Sequence, residues 1–302
     1  MSALEAPVVH LEPRRGPWHA AVVALRPQQW TKNLLLFAGI VFAAKLGDAV
    51  RWVEAFAAFA AWCAASSAAY LVNDVRDAAA DRSHPVKRRR PVARGELSTR
   101  TALALALGCT VVALGLVAPL GIQTTIALAG FLGLQLAYTF SLKRLVLVDV
   151  LAIALLFVIR SAAGALAVAV RISPWLLVCT GLLALFLALG KRRSELVLVD
   201  AGKTPGREVL DGYSVSLVDQ LIGIVASATI VVYALYTFSA RDSKALMVTI
   251  PFVVFGVFRY LLLLHRGGAG EEPEQILVSD VPILATVAAW AATCGVILVL
   301  WS

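Results

Sequence analysis

Nine stretches of this chain, at roughly 22–44, 55–72, 101–119, 122–140, 146–169, 174–190, 217–238, 246–264 and 281–301, stay apolar over the length a helix needs to cross a bilayer. That length is about 20 residues. In hydrocarbon the backbone must satisfy its own hydrogen bonds, and long unbroken apolar runs do so as helices. The pattern predicts an all-α, polytopic membrane protein with nine transmembrane helices, a polar tail at 1–17 and a single domain over 18–302. Only 15% of the 302 residues are charged and 60% are apolar. A soluble domain carries about 25% charge, so a water-soluble enzyme is excluded. The first stretch is the irregular one, because Arg26-Pro27-Gln28-Gln29-Trp30-Thr31-Lys32-Asn33 interrupts it.

The remaining polar residues narrow the chemistry. Residues 1–17 have no apolar core and are not expected to form a secretory signal. Cys63, Cys109, Cys179 and Cys294 all lie inside apolar runs without CxxC spacing, as small buried residues do. His10, His19, His84 and His265 are scattered, so zinc and haem chemistry are not expected. Gly202-Lys203-Thr204 mimics the end of a phosphate-binding loop, but the glycine that motif requires is Val197 here. Net charge is +8, and the cations are unevenly placed. With nine spans, the loops on the N-terminal side hold 20 Lys and Arg and the opposite side holds 5. By the positive-inside rule the N-terminus and the even-numbered loops face the cytoplasm and the C-terminus lies outside.

The most specific signal follows the second stretch. Asn73, Asp74, Asp77 and Asp81 lie at 0°, 100°, 40° and 80° on a helix turning about 100° per residue, and share one face. Ser66 and Tyr70 continue that stripe into the membrane, and Lys87-Arg88-Arg89-Arg90 follows it. Clustered carboxylates repel, and a hard divalent cation is their natural counter-ion. Mg²⁺ takes a few carboxylates, several waters and phosphate oxygens. Asn73, Asp77 and Asp81 are the candidate metal ligands, with Asp74 beside them in the catalytic set.

The motif NDxxDxxxD in this position, with nine spans and a cytoplasmic N-terminus, resembles the UbiA superfamily of intramembrane prenyltransferases. Tyr138 and Lys143, in Tyr138-Thr-Phe-Ser-Leu-Lys143-Arg144, are similar to that family's Tyr/Lys element. The resemblance implies a UbiA-like bundle in the cell membrane, with a cavity opening to the cytoplasm where Mg²⁺ and the acidic motif hold a substrate diphosphate.

After the sixth stretch the chain departs from the aromatic prenyltransferases of that family, which carry a second DxxxD there. It has Gly190-Lys191-Arg192-Arg193-Ser194-Glu195, with Lys191, Arg192 and Glu195 on one helical face. Charge alone allows either a topological anchor or a phosphate site. This substitution resembles the phosphoribosyl-transferring branch of the superfamily, as do the Arg26–Asn33 segment and Phe258-Arg259-Tyr260. The resemblance implies transfer of a phosphoribosyl group from phosphoribosyl pyrophosphate (PRPP) to polyprenyl (decaprenyl) phosphate, for cell-wall arabinan. Three anionic groups then meet in one site, which suits more fixed cations and fewer carboxylates. Arg26, Lys32, Asn33, Tyr138, Lys143, Arg160, Lys191, Arg192 and Glu195 are the candidate substrate-binding residues. Arg160 lies in mid-span, where it either binds ligand or pairs with Asp149; Arg259 reads as a snorkelling cation. The alternatives are a prenyltransferase with an aromatic acceptor and, in another class, an anion transporter. The lipid bilayer is a partner, a nucleic acid is not, and a homo-oligomer is compatible with the pattern.

Overall fold

A computed structural model describes residues 15–42, 47–171, 173–202, 206–239, 244–266, 276 and 279–300. Among the described residues every regular element is helical. The α-helices are α1 Pro17–Leu25, α2 Ala38–Phe42, α3 Ala49–Ser83, α4 Thr99–Val117, α5 Ile122–Phe140, α6 Val148–Ala167, α7 Pro174–Asp200, α8 Val215–Ser239, α9 Ile250–His265 and α10 Val281–Leu300. Most of the expected tail, and Lys203 and Thr204 of the rejected phosphate loop, lie outside the described residues.

Eight of the nine apolar stretches coincide with helices from α3 to α10. Six helical segments are long and apolar enough to cross a bilayer: Ala49–Ser83, Thr99–Leu120, Val148–Ala167, Pro174–Asp200, Val215–Ser239 and Ala245–His265. α5 is not among them, since its 19 residues include Gln123, Thr124, Thr125 and Gln135. The last helix is apolar over the shorter Val281–Ile297. The protein is therefore an all-helical integral membrane bundle, in which six of the nine expected spans meet the length and composition of a crossing helix among the described residues.

The first stretch is not a regular helix. Proline disfavours helical backbone in the residue before it. Arg26, just ahead of Pro27, adopts φ 54° and ends α1. A 3₁₀ run of 11 residues, Pro27–Phe37, follows. Such runs rarely exceed 3–4 residues, and their period is three. Trp30, Asn33 and Leu36 consequently line up, and Asn33 and Leu36 are the buried members. The segment Arg26–Asn33 therefore does not present the face that regular α-helical turns would give it. Trp30 Nε1 donates to Ser67 Oγ at 3.1 Å, and that hydroxyl donates to the Leu25 carbonyl at 2.8 Å, which ties the irregular segment to α3.

Two large apolar cores hold the bundle. One joins Trp62, Phe131, Leu128, Leu156 and Leu36 from α3, α5, α6 and the 3₁₀ run; the other joins Phe186, Leu189, Ile222, Val257 and Tyr260 from α7, α8 and α9. α3 and α7, at 35 and 27 residues, are the two longest helices, and both outrun the apolar thickness at the end that carries the polar motifs. The absence of a side chain at Gly164 explains how a 3₁₀ segment seats against α6. A Cβ there would fall 2.1 Å from the Leu36 carbonyl oxygen, and one on Gly39 would fall 2.8 Å from Ala165 Cα. Gly164→Ala is expected to lower unfolding stability in detergent by about 1–3 kcal/mol. Gly108→Ala, where nothing lies within 4 Å, should leave the melting curve unchanged or slightly raised.

Candidate active site

α3 begins at Asp48, whose carboxylate caps the Val50 and Arg51 amides at 3.0 and 3.3 Å, and continues without a break through Asp81. The acidic motif is therefore carried on rigid helix. Its four polar side chains divide into two pairs along their shared face. Asn73 and Asp77 meet Lys143, whose Nζ lies 3.3 Å from Asn73 Oδ1 and 2.7 and 2.8 Å from the two Asp77 oxygens. Asp74 and Asp81 meet Arg90, at 3.3 and 2.7 Å, and Asp74 also pairs with Arg26. The helical turn already separates these pairs, since it sets Asn73 nearest to Asp77 and Asp74 nearest to Asp81 around the axis.

Each cation arrives from a different segment. Lys143 sits on the 3₁₀ turn Leu142–Arg144 that leaves α5. Arg90 comes from the loop after α3, which folds back because Arg82 Nε donates to the Ala93 carbonyl at 3.3 Å and buried His84 Nδ1 accepts the Val86 and Lys87 amides. Arg26 is aimed by its own left-handed backbone and lies over the Tyr70 ring, 4.9 Å from its centroid.

A second centre lies where α7 emerges. Arg192 is fully buried; its Nε donates to Asp149 Oδ2 at 2.6 Å and its Nη1 to Glu195. Glu195 also pairs with Arg207 at 3.0 Å. Tyr213 donates to the other Asp149 oxygen at 2.7 Å. Lys191 is within electrostatic reach of Glu195, and half-buried Tyr138 of Arg192. Lys87 stands between the two centres, influenced by Arg207 and Arg90 on one side and by Glu195 and Asp81 on the other.

Within the bundle, Arg160 Nε donates to Asn33 Oδ1 at 3.0 Å, and Asn33 Nδ2 to Cys63 Sγ at 3.4 Å. The Arg160 guanidinium lies 4.8 and 5.0 Å from the Phe131 and Phe157 ring centroids. Asp149 pairs with Arg192; the expected alternative pair with Arg160 is not formed, because 11 residues of α6 set the two groups about 16 Å apart. Arg259 does not simply snorkel, for it forms an ion pair with Asp280 at 2.9 Å. Lys32 is half-buried on a different face of the 3₁₀ run from Asn33.

Among the described residues no group of three or more His, Cys, Asp or Glu side chains is clustered enough to hold a metal by itself. Mg²⁺ does not need one, because waters and phosphate oxygens complete its shell. The donors on α3 are all hard oxygens; Asp77 is 30% exposed, and Asp74 Oδ2 is buried without a partner. These residues fit a partly hydrated Mg²⁺ once Lys143 yields a carboxylate oxygen.

Residues 34–272 match the UbiA prenyltransferase family, and the chain belongs to that family. Decaprenyl-phosphate phosphoribosyltransferase from Mycolicibacterium smegmatis is 35% identical, with 91% of each chain covered. The enzyme of the same name from Corynebacterium glutamicum is 30% identical over 92% of this chain and 86% of its own. A UbiA homologue from Archaeoglobus fulgidus bound to GPP and Mg²⁺ shares the fold, with a TM-score of 0.71 at 18% identity, covering 92% of this chain and 99% of its own.

Arg90, Arg207 and Tyr213 were not singled out from the sequence. Arg90 was visible only as one member of a basic run, and Arg207 and Tyr213 stand in a short segment without periodicity. Lys87 gives this site a titration of its own. Burial first, then Arg207 and Arg90, lower its pKa from 10.5 to about 8. Its charged form is disfavoured in the folded state, so the folded protein should gain stability from this group as pH rises from about 8 to 10.5. Competitive amine labelling should show Lys87 half-titrated near pH 8 in the folded protein and near 10.5 after unfolding.

Proposed function

We propose that this protein is a decaprenyl-phosphate phosphoribosyltransferase: it transfers the 5-phosphoribosyl group of PRPP to polyprenyl phosphate and releases pyrophosphate. The observation that carries the reading is a second centre that is basic on balance, with Lys191, Arg192 and Arg207 against the two carboxylates Asp149 and Glu195, in a chain similar over nine tenths of its length to enzymes of that name. One acidic centre suits a metal-bound pyrophosphate. One basic centre suits a phosphate that no metal neutralises.

In this reading Asp77 and Asp81, with Asn73 and Asp74 beside them, hold Mg²⁺ against the pyrophosphate. When bound, Mg²⁺ offsets the charge that grows on pyrophosphate as the anomeric C–O bond breaks. Lys143, resting on Asp77 and Asn73, is placed to turn its ammonium to a phosphate oxygen when substrate enters. Arg90 and Arg26 keep Asp74 and Asp81 compensated meanwhile. Lys191, Arg192 and Glu195, with Tyr138 near them, shape the region for a further phosphate. Arg160 and Asn33 lie deeper, toward the membrane-embedded lipid substrate, and Lys32 belongs to the same first segment. The acceptor phosphate oxygen is ionised at neutral pH, so attack on the ribosyl carbon requires no general base. Catalysis then rests on positioning and electrostatics.

The charge distribution supports a multi-pass protein of the cell membrane, with the N-terminus and site mouth cytoplasmic, the C-terminus outside, and the nine apolar stretches as its spans. Its product would supply arabinan precursor synthesis. The second reading, prenyl transfer to an aromatic acceptor, is favoured by the fold shared with a homologue bound to GPP and Mg²⁺. Purified protein with Mg²⁺ is to be incubated with labelled PRPP and polyprenyl phosphate, and separately with prenyl diphosphate and an aromatic acid. Labelled lipid in the first tube alone is the expected result; product in the second alone overturns the reading.

Asp77→Asn and Asp81→Asn are each expected to cut turnover at least about 100-fold while the protein still inserts and melts normally, measured by transfer assay and thermal unfolding. Lys191→Ala should raise KM for PRPP roughly tenfold, as loss of a charge-assisted phosphate contact does, and leave kcat nearly unchanged.

A further inference from the structure

We propose that Tyr213 is a positioning residue whose hydroxyl fixes the turn carrying Lys143 against Asn73 and Asp77, and so couples the acidic centre to the Asp149 and Arg192 pair. The hydroxyl accepts the Leu147 amide at 2.7 Å and donates to Asp149 Oδ1 at 2.7 Å. Leu147 caps α6 with φ 66°, a conformation that leucine rarely adopts without restraint. It stands shortly beyond the turn Leu142–Arg144, whose Lys143 grips both Asp77 oxygens. From Asp149 the same chain of bonds reaches Arg192 Nε at 2.6 Å, then Glu195.

Tyr213 is itself firmly held. It closes the 3₁₀ turn Glu208–Gly212, its amide donating to the Leu210 carbonyl at 3.0 Å. Gly212 lies so near Val146 that a Cβ would fall 2.4 Å from Cγ2. The segment before α8 thus presses on the turn before α6, and the phenol oxygen is their polar joint. Burial, then the hydrogen bond to Asp149, pushes the phenol upward, so it keeps its proton at assay pH. Without the hydroxyl, the Leu147 amide and an Asp149 oxygen lose a partner together. The simplest relaxation returns Leu147 to negative φ, rotating the peptide that leads back to Lys143.

The kinetic part of the test rests on the phosphoribosyl-transfer reading; the labelling part does not. In full-length protein, Tyr213→Phe is expected to lower kcat roughly tenfold, as a small misplacement of a reacting group does, with KM for polyprenyl phosphate unchanged. Adding Leu147→Gly should restore most of the loss, because glycine holds positive φ without a clamp. In a Lys143→Ala background Tyr213→Phe should have no further effect on kcat, since the two changes act through one group. Acetic anhydride should label Lys143 faster in Tyr213→Phe than in the parent protein. Additive losses without glycine rescue, or unchanged kcat and unchanged labelling, overturn the proposal. If the parent protein transfers no phosphoribosyl group, the reaction assignment fails and the labelling rate alone decides the role of Tyr213.

Discussion

Charge that has left water must find charge, and this requirement organises the active end of the molecule. α3 carries three aspartates and an asparagine past the membrane face, with Asp74 and Asp81 buried. A buried carboxylate left uncompensated would cost several kcal/mol. The compensation comes from segments far apart in the chain: Arg26 from the break in the first stretch, Arg90 from a returning loop, and Lys143 from the turn after α5. The acidic motif thereby recruits the loops around it. Cations gathered to satisfy carboxylates are also cations already in place when a phosphate arrives.

The second centre obeys the same rule with the signs exchanged. Arg192 is the buried ion there, and Asp149, Glu195 and Tyr213 are built around it. Its guanidinium holds α6 to α7 before it holds anything else. Lys191 and Arg207 lie toward the rim of that arrangement, so replacing Arg192 would disturb both packing and ligand binding. Lys191 is the cleaner residue on which to measure a phosphate contact.

The apolar runs announced the helices well: α5 spans the very residues its hydrophobic pattern marked, and α3, α6 and α7 differ chiefly at their ends. The acidic motif was equally legible, because four polar side chains on one helical face need no tertiary information. Pairing was a different matter. Nothing local says that Asp149 takes Arg192, because only packing between α6 and α7 brings the two together; Arg160 shares its helical face but stands about 16 Å further along α6. The break at Pro27 was legible as an interruption of the first apolar stretch, but the 3₁₀ run that follows was not; that depends on Gly164, far along the chain in α6, letting a backbone approach. Tyr213 gave no signal because its role is a single hydroxyl meeting a single amide.

The unbroken course of α3 has a mechanical meaning. From its cap at Asp48 to Asn73 the helix runs about 37 Å at 1.5 Å per residue. The carboxylates therefore ride the tip of a stiff lever whose pivot lies near the far side of the bundle. A tilt of about 5° at the pivot would swing them by about 3 Å, as much as separates a hydrogen bond from no bond at all. The grip of Arg26, Arg90 and Lys143 on that tip is what turns a long rod into a fixed instrument, and a change in bilayer thickness would be felt first as load on those three side chains.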